Sequence, residues 1–224
     1  MSEFYEYYWP VESAQEIALT QTPVTGKNLV LNGSYANTVT GTVSLIARGF
    51  VRKINLSFTG DFTGATFTVN GAQNGVPITN IVTGLNGGNA PTTEYFDTLT
   101  NISVTGVIPG GGTVASSTDA TDGYFSLILL NTEKRISNMA YALNFITEAP
   151  LTGCTYTIYE SLQNIGNSGQ TYTQAIDDLV LSKISEYVSV SQILQMTDIA
   201  RNLVVKITPA DVAASTLRMQ FLQL

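Results

Sequence analysis

Three segments of the chain occur twice, in the same order and at similar separations. By residue number, the two copies lie 82, 89 and 92 positions apart. The matched pairs are SLIARGFVRKI (Ser44–Ile54) with SLILLNTEKRI (Ser126–Ile136), GATFTVNG (Gly64–Gly71) with GCTYTIYE (Gly153–Glu160), and EYFDTLTNI (Glu94–Ile102) with EYVSVSQIL (Glu186–Leu194). Separations that widen steadily are what a duplication followed by small insertions produces. The sequence therefore predicts two related modules in tandem.

Short alternating segments, separated by turn signals, indicate that both modules are built of strands. In Ile54–Phe58 and Thr66–Val69, apolar residues alternate with hydroxyl- or amide-bearing residues, which is the period of a half-buried strand. Strands of about five residues at intervals of about ten are typical of sandwiches and barrels. Turns are predicted at sites rich in Asn and Gly: Asn32-Gly33, Thr59-Gly60-Asp61, Asn70-Gly71, Asn74-Gly75 and Asn86-Gly87-Gly88-Asn89. The predicted fold class is all-β, with two tandem related β-sandwich modules, jelly-roll-like, preceded by an extended N-terminal arm.

The domain boundaries are predicted from where the repeat begins and ends. Residues 1–37 form the arm, residues 38–130 the first module, and residues 131–224 the second, diverged module. The junction is expected near Asn131–Arg135, without a flexible linker. A chain of 224 residues is comfortable for two domains of about 100 residues each.

The second module contains clear strands and one ambiguous stretch. Leu203–Ile207 and Leu217–Leu224 are predicted strands, and the apolar last strand is expected to pair within a sheet. Residues 174–187 fit either an amphipathic helix or a strand. Cys154 is predicted to be a small buried side chain, because the first copy has Ala65 at that place.

The predicted arm is crowded with aromatic residues. Five of them occupy six positions, which is too dense for one side of a strand or helix. Ser13 and Glu16 could cap one helical turn, and an extended arm is the alternative. Aromatic residues are enriched at contact surfaces, so the arm either folds back onto its own module or lies on a neighbouring subunit. The predicted partner-binding residues are Phe4, Tyr5, Tyr7, Tyr8 and Trp9.

Charge and composition exclude several classes of partner. Seventeen acidic and ten basic residues give a net charge of −7, which argues against nucleic acid, since phosphate binding needs clustered Lys and Arg. Charged residues make up 12% of the chain, about half the usual share, so Thr, Ser, Asn and Gly are expected to cover much of the surface. No segment approaches the length of about 18 apolar residues that spans a bilayer, and the N-terminus does not read as a signal peptide. A soluble protein that packs against neighbours is expected.

Catalytic chemistry is not predicted. The chain has no histidine, which removes Ser-His and Cys-His pairs and most zinc sites. Asp119 and Asp122 are interpreted as a hairpin turn, and Asp177 with Asp178 as favourable charges at the start of a helix. Glu94 and Glu186, each followed by Tyr, are interpreted as strand-entry residues. The chain is accordingly predicted not to be an enzyme, with no catalytic, cofactor-binding or metal-binding residue.

Two stretches, VRKINLSFTGDFTGATFTVNG and PITNIVTGLNGGNAPTTEYFDTLTNISVTG, resemble small virion structural proteins of tailed bacteriophages. In that family a strand ending in an Arg/Lys pair leads through Gly-bounded strands of the type TFTVTG to a strand KYF-x-T-V-T-S-I. The resemblance covers roughly Gly41 to Gly106, and the aromatic arm and the second module depart from it. It implies a β-rich, head-associated protein without catalytic residues, so no functional residues are carried over to this chain.

Together with the duplicated module, the resemblance predicts a capsid decoration or cement protein. Such a protein is made in the host cytoplasm, lies on the capsid exterior, binds the major capsid protein and forms homo-oligomers, with a trimer favoured. The alternative is a fibre, neck or tail-associated module that binds a receptor or carbohydrate, with Tyr156, Tyr159 and Tyr172 as a stacking platform. Against that platform, Tyr156 aligns with Phe67 and also fits a core position.

Overall fold

The fold is built almost entirely of antiparallel strands, which confirms the predicted all-β class. The computed structural model describes residues 3–9, 14–108, 111–125, 128–129, 141–147, 155–161, 169–178, 182–188, 193–196, 202–208 and 217–223. The strands are β1 Glu3–Trp9, β2 Ala18–Gln21, β3 Ala36–Asn37, β4 Thr42–Ser44, β5 Phe50–Asp61, β6 Ala65–Gln73, β7 Val76–Thr83, β8 Asn86–Pro91, β9 Thr98–Gly106, β10 Thr113–Phe125, β11 Ile128–Leu129, β12 Tyr141–Thr147, β13 Thr155–Ser161, β14 Ser182–Val188, β15 Ile193–Met196, β16 Asn202–Thr208 and β17 Leu217–Gln223. A single 3-10 turn, Ile46–Arg48, and a helix, α1 Tyr172–Asp177, complete the described elements.

The chain divides into two compact units. The first unit comprises Glu12–Ala47 and Val51–Ala120, and the second comprises Met1–Val11, Arg48–Phe50 and Thr121–Leu224. The predicted arm of residues 1–37 is therefore shared between the units: residues 1–11 belong to the second unit and the rest to the first. The predicted junction at 131–135 and the predicted buried residue 154 lie outside the described residues.

The first unit contains two antiparallel sheets whose strand order is that of a jelly roll. One sheet has the order β3-β4-β9-β6-β7, and the other contains β10, β5 and β8 in that order, with β2 paired to β10. If the two-residue β3 is set aside, the sheets read β4-β9-β6-β7 and β2-β10-β5-β8. Eight strands divided between two sheets in this way are the arrangement of a jelly roll.

The second unit repeats this order. Its four-stranded sheet reads β1-β17-β12-β15, and its other sheet reads β14-β13-β16, with β11 paired to β16. β1 takes the place of β2 in the strand order. The strands β11, β12, β13, β14, β15, β16 and β17 take the places of β4, β5, β6, β7, β8, β9 and β10, respectively. The matching topology supports the duplication inferred from the sequence. The second unit also contains the last residues of β10, of which Gly123 and Tyr124 pair with Ile207 and Lys206 of β16.

The sequence matches follow this equivalence in part. Gly64–Gly71 and Gly153–Glu160 fall on β6 and β13, which hold the same place in the two diagrams. The third match does not: Glu94–Ile102 leads into β9, whose counterpart is β16, whereas Glu186–Leu194 spans the end of β14 and the start of β15. Short segments rich in Thr, Val and Ser recur by chance in a chain of this composition, so that pairing was wrong.

Apolar side chains fill the space between the sheets of the first unit. Three of its rings form a cluster, with centroid distances of 5.1 Å between Phe58 and Phe67, 5.5 Å between Phe58 and Phe62, and 6.1 Å between Phe62 and Phe67. On β6, buried and half-buried residues alternate, as the sequence predicted for Thr66–Val69. Rings at such separations add packing energy beyond the area they bury.

Some predicted turns are strands in the structure. Asn74–Gly75 forms the predicted turn, but Asn70-Gly71 lies inside β6 at a shift of register against β9. A Cβ on Gly71 would lie 2.0 Å from the carbonyl oxygen of Thr98, so this glycine permits a close approach of two strands rather than a turn. Residues 86–89 likewise belong to β8, where Gly87 and Gly88 have positive φ.

Two acidic pairs also differ from their predicted places. Asp119 and Asp122 lie within β10, not in a hairpin turn, because the strand continues through the Asp-Gly pair. Asp177 and Asp178 lie at the end of α1 and its C-cap, not at its start. The start is instead capped by Thr171 and Gln174, each side chain bonded to the other's backbone N–H. The ambiguous stretch 174–187 thus contains the end of a short helix and most of β14.

A buried polar network joins three parts of the first unit. Arg52 on β5 is 0% exposed and Glu16, just before β2, is 2% exposed. They meet at Thr118 on β10, whose hydroxyl donates to Glu16 Oε2 at 2.9 Å and accepts from Arg52 Nη1 at 3.2 Å. The backbone N–H of Ile17 also donates to the carbonyl oxygen of Ser116 at 3.0 Å. Two charged groups, one on β5 and one just before β2, are therefore buried and share the Thr118 hydroxyl as a hydrogen-bond partner.

Replacing Thr118 with Val should lower the free energy of unfolding by about 1–3 kcal/mol, because the buried Glu16 and Arg52 each lose a hydrogen bond that water does not replace. Thr118→Ser keeps the hydroxyl and should recover most of this loss. Urea denaturation followed by circular dichroism measures both variants.

The control for the Thr118 pair is Thr105→Val, which removes the same hydroxyl at an exposed position of β9 in the same unit. It should change the free energy of unfolding by no more than about 0.5 kcal/mol. Equal losses for Thr118→Val and Thr118→Ser would show that the hydroxyl does not bridge the two charges.

Candidate interaction surfaces

The five predicted partner-binding residues lie on β1, which is paired within the chain. β1 runs antiparallel to β17 over its whole length, from Glu3 opposite Gln223 to Trp9 opposite Leu217. β17 pairs on its other side with β12, so β1 is the edge strand of the four-stranded sheet. The predicted pairing of the last strand is confirmed. The role of the five aromatic residues in binding a partner stays a prediction.

Strand register divides the five residues between two faces of the sheet, because successive positions alternate. Tyr5, Tyr7 and Trp9 occupy one face, opposite three positions of β17 that are all apolar in sequence: Phe221, Met219 and Leu217. Phe4 and Tyr8 occupy the other face, whose positions on β1 and β17 also include Glu6, Arg218 and Gln220.

The first unit carries an uncharged outer surface on its five-stranded sheet. Its centre is a grid of three rows across β7, β6 and β9, which we call the hydroxyl face. The rows are Thr83-Thr66-Thr105, Ile81-Thr68-Ser103 and Thr79-Asn70-Asn101. All nine residues are exposed or half-buried and none is charged.

Side-chain hydrogen bonds order the third row of the hydroxyl face. Thr79 Oγ1 donates to Asn70 Oδ1 at 2.8 Å, and Asn70 Nδ2 donates to Asn101 Oδ1 at 2.9 Å. Thr100 Oγ1 also donates to the backbone carbonyl of Asn70 at 3.1 Å. These bonds hold the polar groups in place, so the row is ordered before any partner binds.

Three exposed apolar residues lie in loops at one end of the same unit. Val24 is 59% exposed and Val107 is 72% exposed. The two loops that carry them are joined, since Thr25 Oγ1 donates to the carbonyl oxygen of Gly106 at 2.9 Å. Leu85, 38% exposed, lies in a further loop that is tied by the N–H of Phe62 to the Leu85 carbonyl at 2.9 Å. This loop end presents apolar groups to solvent beside the uncharged sheet.

The tyrosine platform predicted for carbohydrate binding is not formed. Tyr172 is 0% exposed and packs edge-on against Tyr124, with ring centroids 5.4 Å apart. Burial raises the pKa of Tyr124 to about 12, and Lys206 Nζ lies 5.7 Å from its ring centroid. Tyr159 is half-buried. Tyr172 is thus a core residue, because its capped helix turns it inward, and the prediction of an exposed platform including it was wrong.

Within the described ranges, the acidic side chains form no cluster of the kind that holds a metal ion. No group of three His, Cys, Asp or Glu side chains there is close enough to hold a metal ion. In the same ranges, no helix has the length and apolar character needed to cross a membrane. The buried carboxylates serve structure where their contacts are known: Glu16 bonds Thr118, and Asp97 bonds a turn.

Asp97 anchors the turn from which β7 begins. Its carboxylate accepts a hydrogen bond from the backbone N–H of Asn74 at 2.5 Å. Asn74 and Gly75 both have positive φ, 52° and 74°, which makes a two-residue turn of type I′. Burial raises the pKa of Asp97 above its ordinary value, although hydrogen bonds from the Asn74 backbone and the Thr98 side chain act in the opposite direction.

Asp97→Asn should remove a pH dependence of stability. The folded state binds the Asp97 proton more tightly than the unfolded chain, so this group stabilises the fold most below the unfolded pKa of about 4. Its contribution is lost as the pH rises through the folded pKa. The wild type should therefore lose stability relative to Asp97→Asn between pH 4 and pH 7, as measured by urea denaturation at each pH. Parallel curves, or a relative gain by the wild type, would contradict this assignment.

The chain was compared with known families and structures. No protein-family model matches the sequence, and no curated protein matches it. Among solved structures, the major capsid protein P2 of bacteriophage PM2 aligns with 100% of this chain and 97% of its own, with a TM-score of 0.28 and 6% sequence identity. A likeness at this level supports no conclusion about function, which must come from the topology and surfaces of the chain itself.

Proposed function

We propose that this chain is a structural protein of a virus particle, held in the capsid by contacts with neighbouring subunits. The observation that supports this most is the repetition of the eight-strand jelly-roll order in both units. Jelly rolls build the shells of many viruses and also occur in lectins and cupins. The surfaces favour the first of these uses, because the described residues offer broad uncharged areas and the platform expected for a sugar is broken by the buried Tyr172.

Low surface charge suits a subunit that meets copies of itself or other acidic proteins. Each copy carries a net charge of −7, so two copies repel unless the contact excludes carboxylates. The hydroxyl face satisfies this condition, since its nine residues carry no charge. Ordered Thr and Asn side chains also contribute hydrogen bonds, of which a typical interface has about ten.

In the finer form of the proposal, the chain is a decoration or cement protein on the capsid exterior. It binds the major capsid protein and forms homo-oligomers, with a trimer favoured. β1 contributes to this contact through Phe4 and Tyr8, the two aromatic residues on the mixed face of its sheet. The sequence resemblance to head-associated phage proteins and the low surface charge support this form.

A shell-forming subunit is the second candidate, and the tandem topology favours it. Each unit has the strands of a jelly roll, so one chain supplies two sandwiches related by duplication. A decoration protein needs a preformed shell, whereas a shell subunit assembles with its own copies. Electron microscopy of the concentrated purified protein separates the two: closed particles or sheets indicate a shell subunit, and discrete oligomers indicate a decoration protein. A protein that neither assembles nor binds empty capsids would contradict both.

The double variant Phe4→Ser with Tyr8→Ser should reduce incorporation into particles at least tenfold while the protein stays folded. Binding is measured by co-sedimentation with empty capsids or, for a self-assembling protein, by the yield of particles. The expected loss follows from removing two aromatic anchors, each of which contributes more than about 1 kcal/mol at a typical contact centre.

Tyr5→Ser with Trp9→Ser is the matched control, because it removes two aromatic residues from the opposite face of the same strand. It should lower the thermal midpoint of unfolding. Incorporation into particles should fall only as far as this loss of stability reduces the amount of folded protein. If Phe4→Ser with Tyr8→Ser is incorporated like the wild type, β1 does not contribute the contact.

A further inference from the structure

β7 is an edge strand of the first unit and has unusual properties for an edge. It pairs with β6 on one side, and in the part of the chain that the structure describes no strand pairs with its other side. Edge strands expose unpaired N–H and C=O groups and are commonly protected by charges, bulges or coverage. β7 has the sequence VPITNIVT, without a charged residue, and its register with β6 contains no shift.

The turn at Asn74–Gly75 fixes which backbone groups of β7 point outward. In a two-residue type I′ hairpin, the flanking pair, here Gln73 and Val76, exchanges hydrogen bonds, and every second residue after it does the same. The N–H of Gly84 continues this phase, donating to Ala65 at 3.0 Å. The residues between them therefore direct their N–H and C=O groups away from β6: residues 77, 79, 81 and 83.

Pro77 agrees with this assignment. Proline has no N–H to donate, so within sheets it is tolerated at edge positions that face away from the neighbouring strand. It lies at the first outward position, which leaves Thr79, Ile81 and Thr83 as three consecutive outward positions with both a donor and an acceptor. Ile81 is 68% exposed, whereas Val82, which bonds inward, is 5% exposed.

The second unit provides an internal comparison. β14 holds the same edge place beside β13 that β7 holds beside β6. β14 carries Lys183 and Glu186, and its register with β13 shifts between Ile158 and Tyr159. Both are devices that discourage pairing with another strand. Of the two equivalent edge strands, β14 has both charged residues and a register shift, and β7 has neither.

We propose that β7 pairs antiparallel with β7 of a second copy of this chain, about a two-fold axis beside Ile81. This register places Ile81 opposite its own copy and Thr79 opposite Thr83, and each pair exchanges two backbone hydrogen bonds. It uses only outward positions that have an N–H and leaves Pro77 outside. The contact extends the uncharged rows of the hydroxyl face from one copy to the next.

Charge and symmetry identify the occupant as a second copy. A self-pairing strand must be complementary to itself, and a single lysine or carboxylate near the axis would face its own image at short range. The outward stretch from Pro77 to Thr83 contains no such residue, although the chain has 27 charged residues elsewhere. The pairing is independent of the proposed role in a virus particle, because it requires only copies of this chain.

Sedimentation of the full chain over a wide concentration range tests the pairing. The wild type should form a dimer or larger species as the concentration rises towards about 1 mM, since an interface formed by one strand is small and weak. Ile81→Lys and Thr83→Lys should each raise the Kd at least tenfold. Thr59→Lys is the matched control: it adds the same charge at an exposed position of β5, in the other sheet of the same unit and outside the hydroxyl face, and should leave the Kd within about threefold.

Amide hydrogen exchange locates the contact independently of sedimentation. The N–H groups of Thr79, Ile81 and Thr83 should exchange rapidly in dilute protein and become protected at high concentration, and Ile81→Lys should abolish this protection. Those of Ile78 and Val82 should be protected at every concentration, which also verifies that the variant is folded. A wild type whose outward amides show no dependence on concentration would overturn the proposal, as would equal effects of Ile81→Lys and Thr59→Lys on association.

Discussion

Backbone hydrogen bonding is the constraint on which the rest of this structure depends. Every strand inside a sandwich must satisfy its N–H and C=O groups on both sides, and only strands at the margins leave a row open. The jelly-roll order decides which strands those are, and it places β7 and β14 at the margins of equivalent sheets. The residues of each edge strand then decide whether its open N–H and C=O groups are protected or available for pairing. The duplication allows a direct comparison, because β7 and β14 occupy equivalent edges and carry different residues.

Local signals in the sequence predicted the elements better than their connections. The alternation in Ile54–Phe58 located β5, and extending the same period back by two residues places Arg52 on the face that includes Ile54 and Leu56, where it is buried. Asn74-Gly75 was identified as a turn, but Asn70-Gly71 has the same letters and lies in a strand. Gly71 differs because the backbone of β9 approaches it closely: an added Cβ would lie 2.0 Å from the carbonyl oxygen of Thr98. The local sequence pattern does not contain this long-range contact.

Long-range pairing accounts for the remaining differences. The aromatic residues near the N-terminus suggested an arm that reaches a partner, whereas β1 pairs with β17, more than two hundred positions away in the chain. Nothing near residue 9 specifies that partner, because register is decided by which faces become buried together. Similarly, Tyr172 looked available for binding until the capped helix placed it against Tyr124. The duplication was the sequence feature that carried most information about topology, although one of its three supporting matches joined strands that are not equivalent.

The pairing of β1 with β17 has a consequence for how the chain is made. The ribosome synthesises β1 before, and β17 after, every other described strand, so the sheet that contains both cannot close until translation has passed residue 223. The strands of the first unit, in contrast, have all been synthesised once residue 125 has left the ribosome. Contacts between positions so far apart slow folding, because a long loop must close before they form. During that interval β1 lacks its partner β17. The rate of elongation sets how long nascent chains on one messenger expose this unpaired segment to each other.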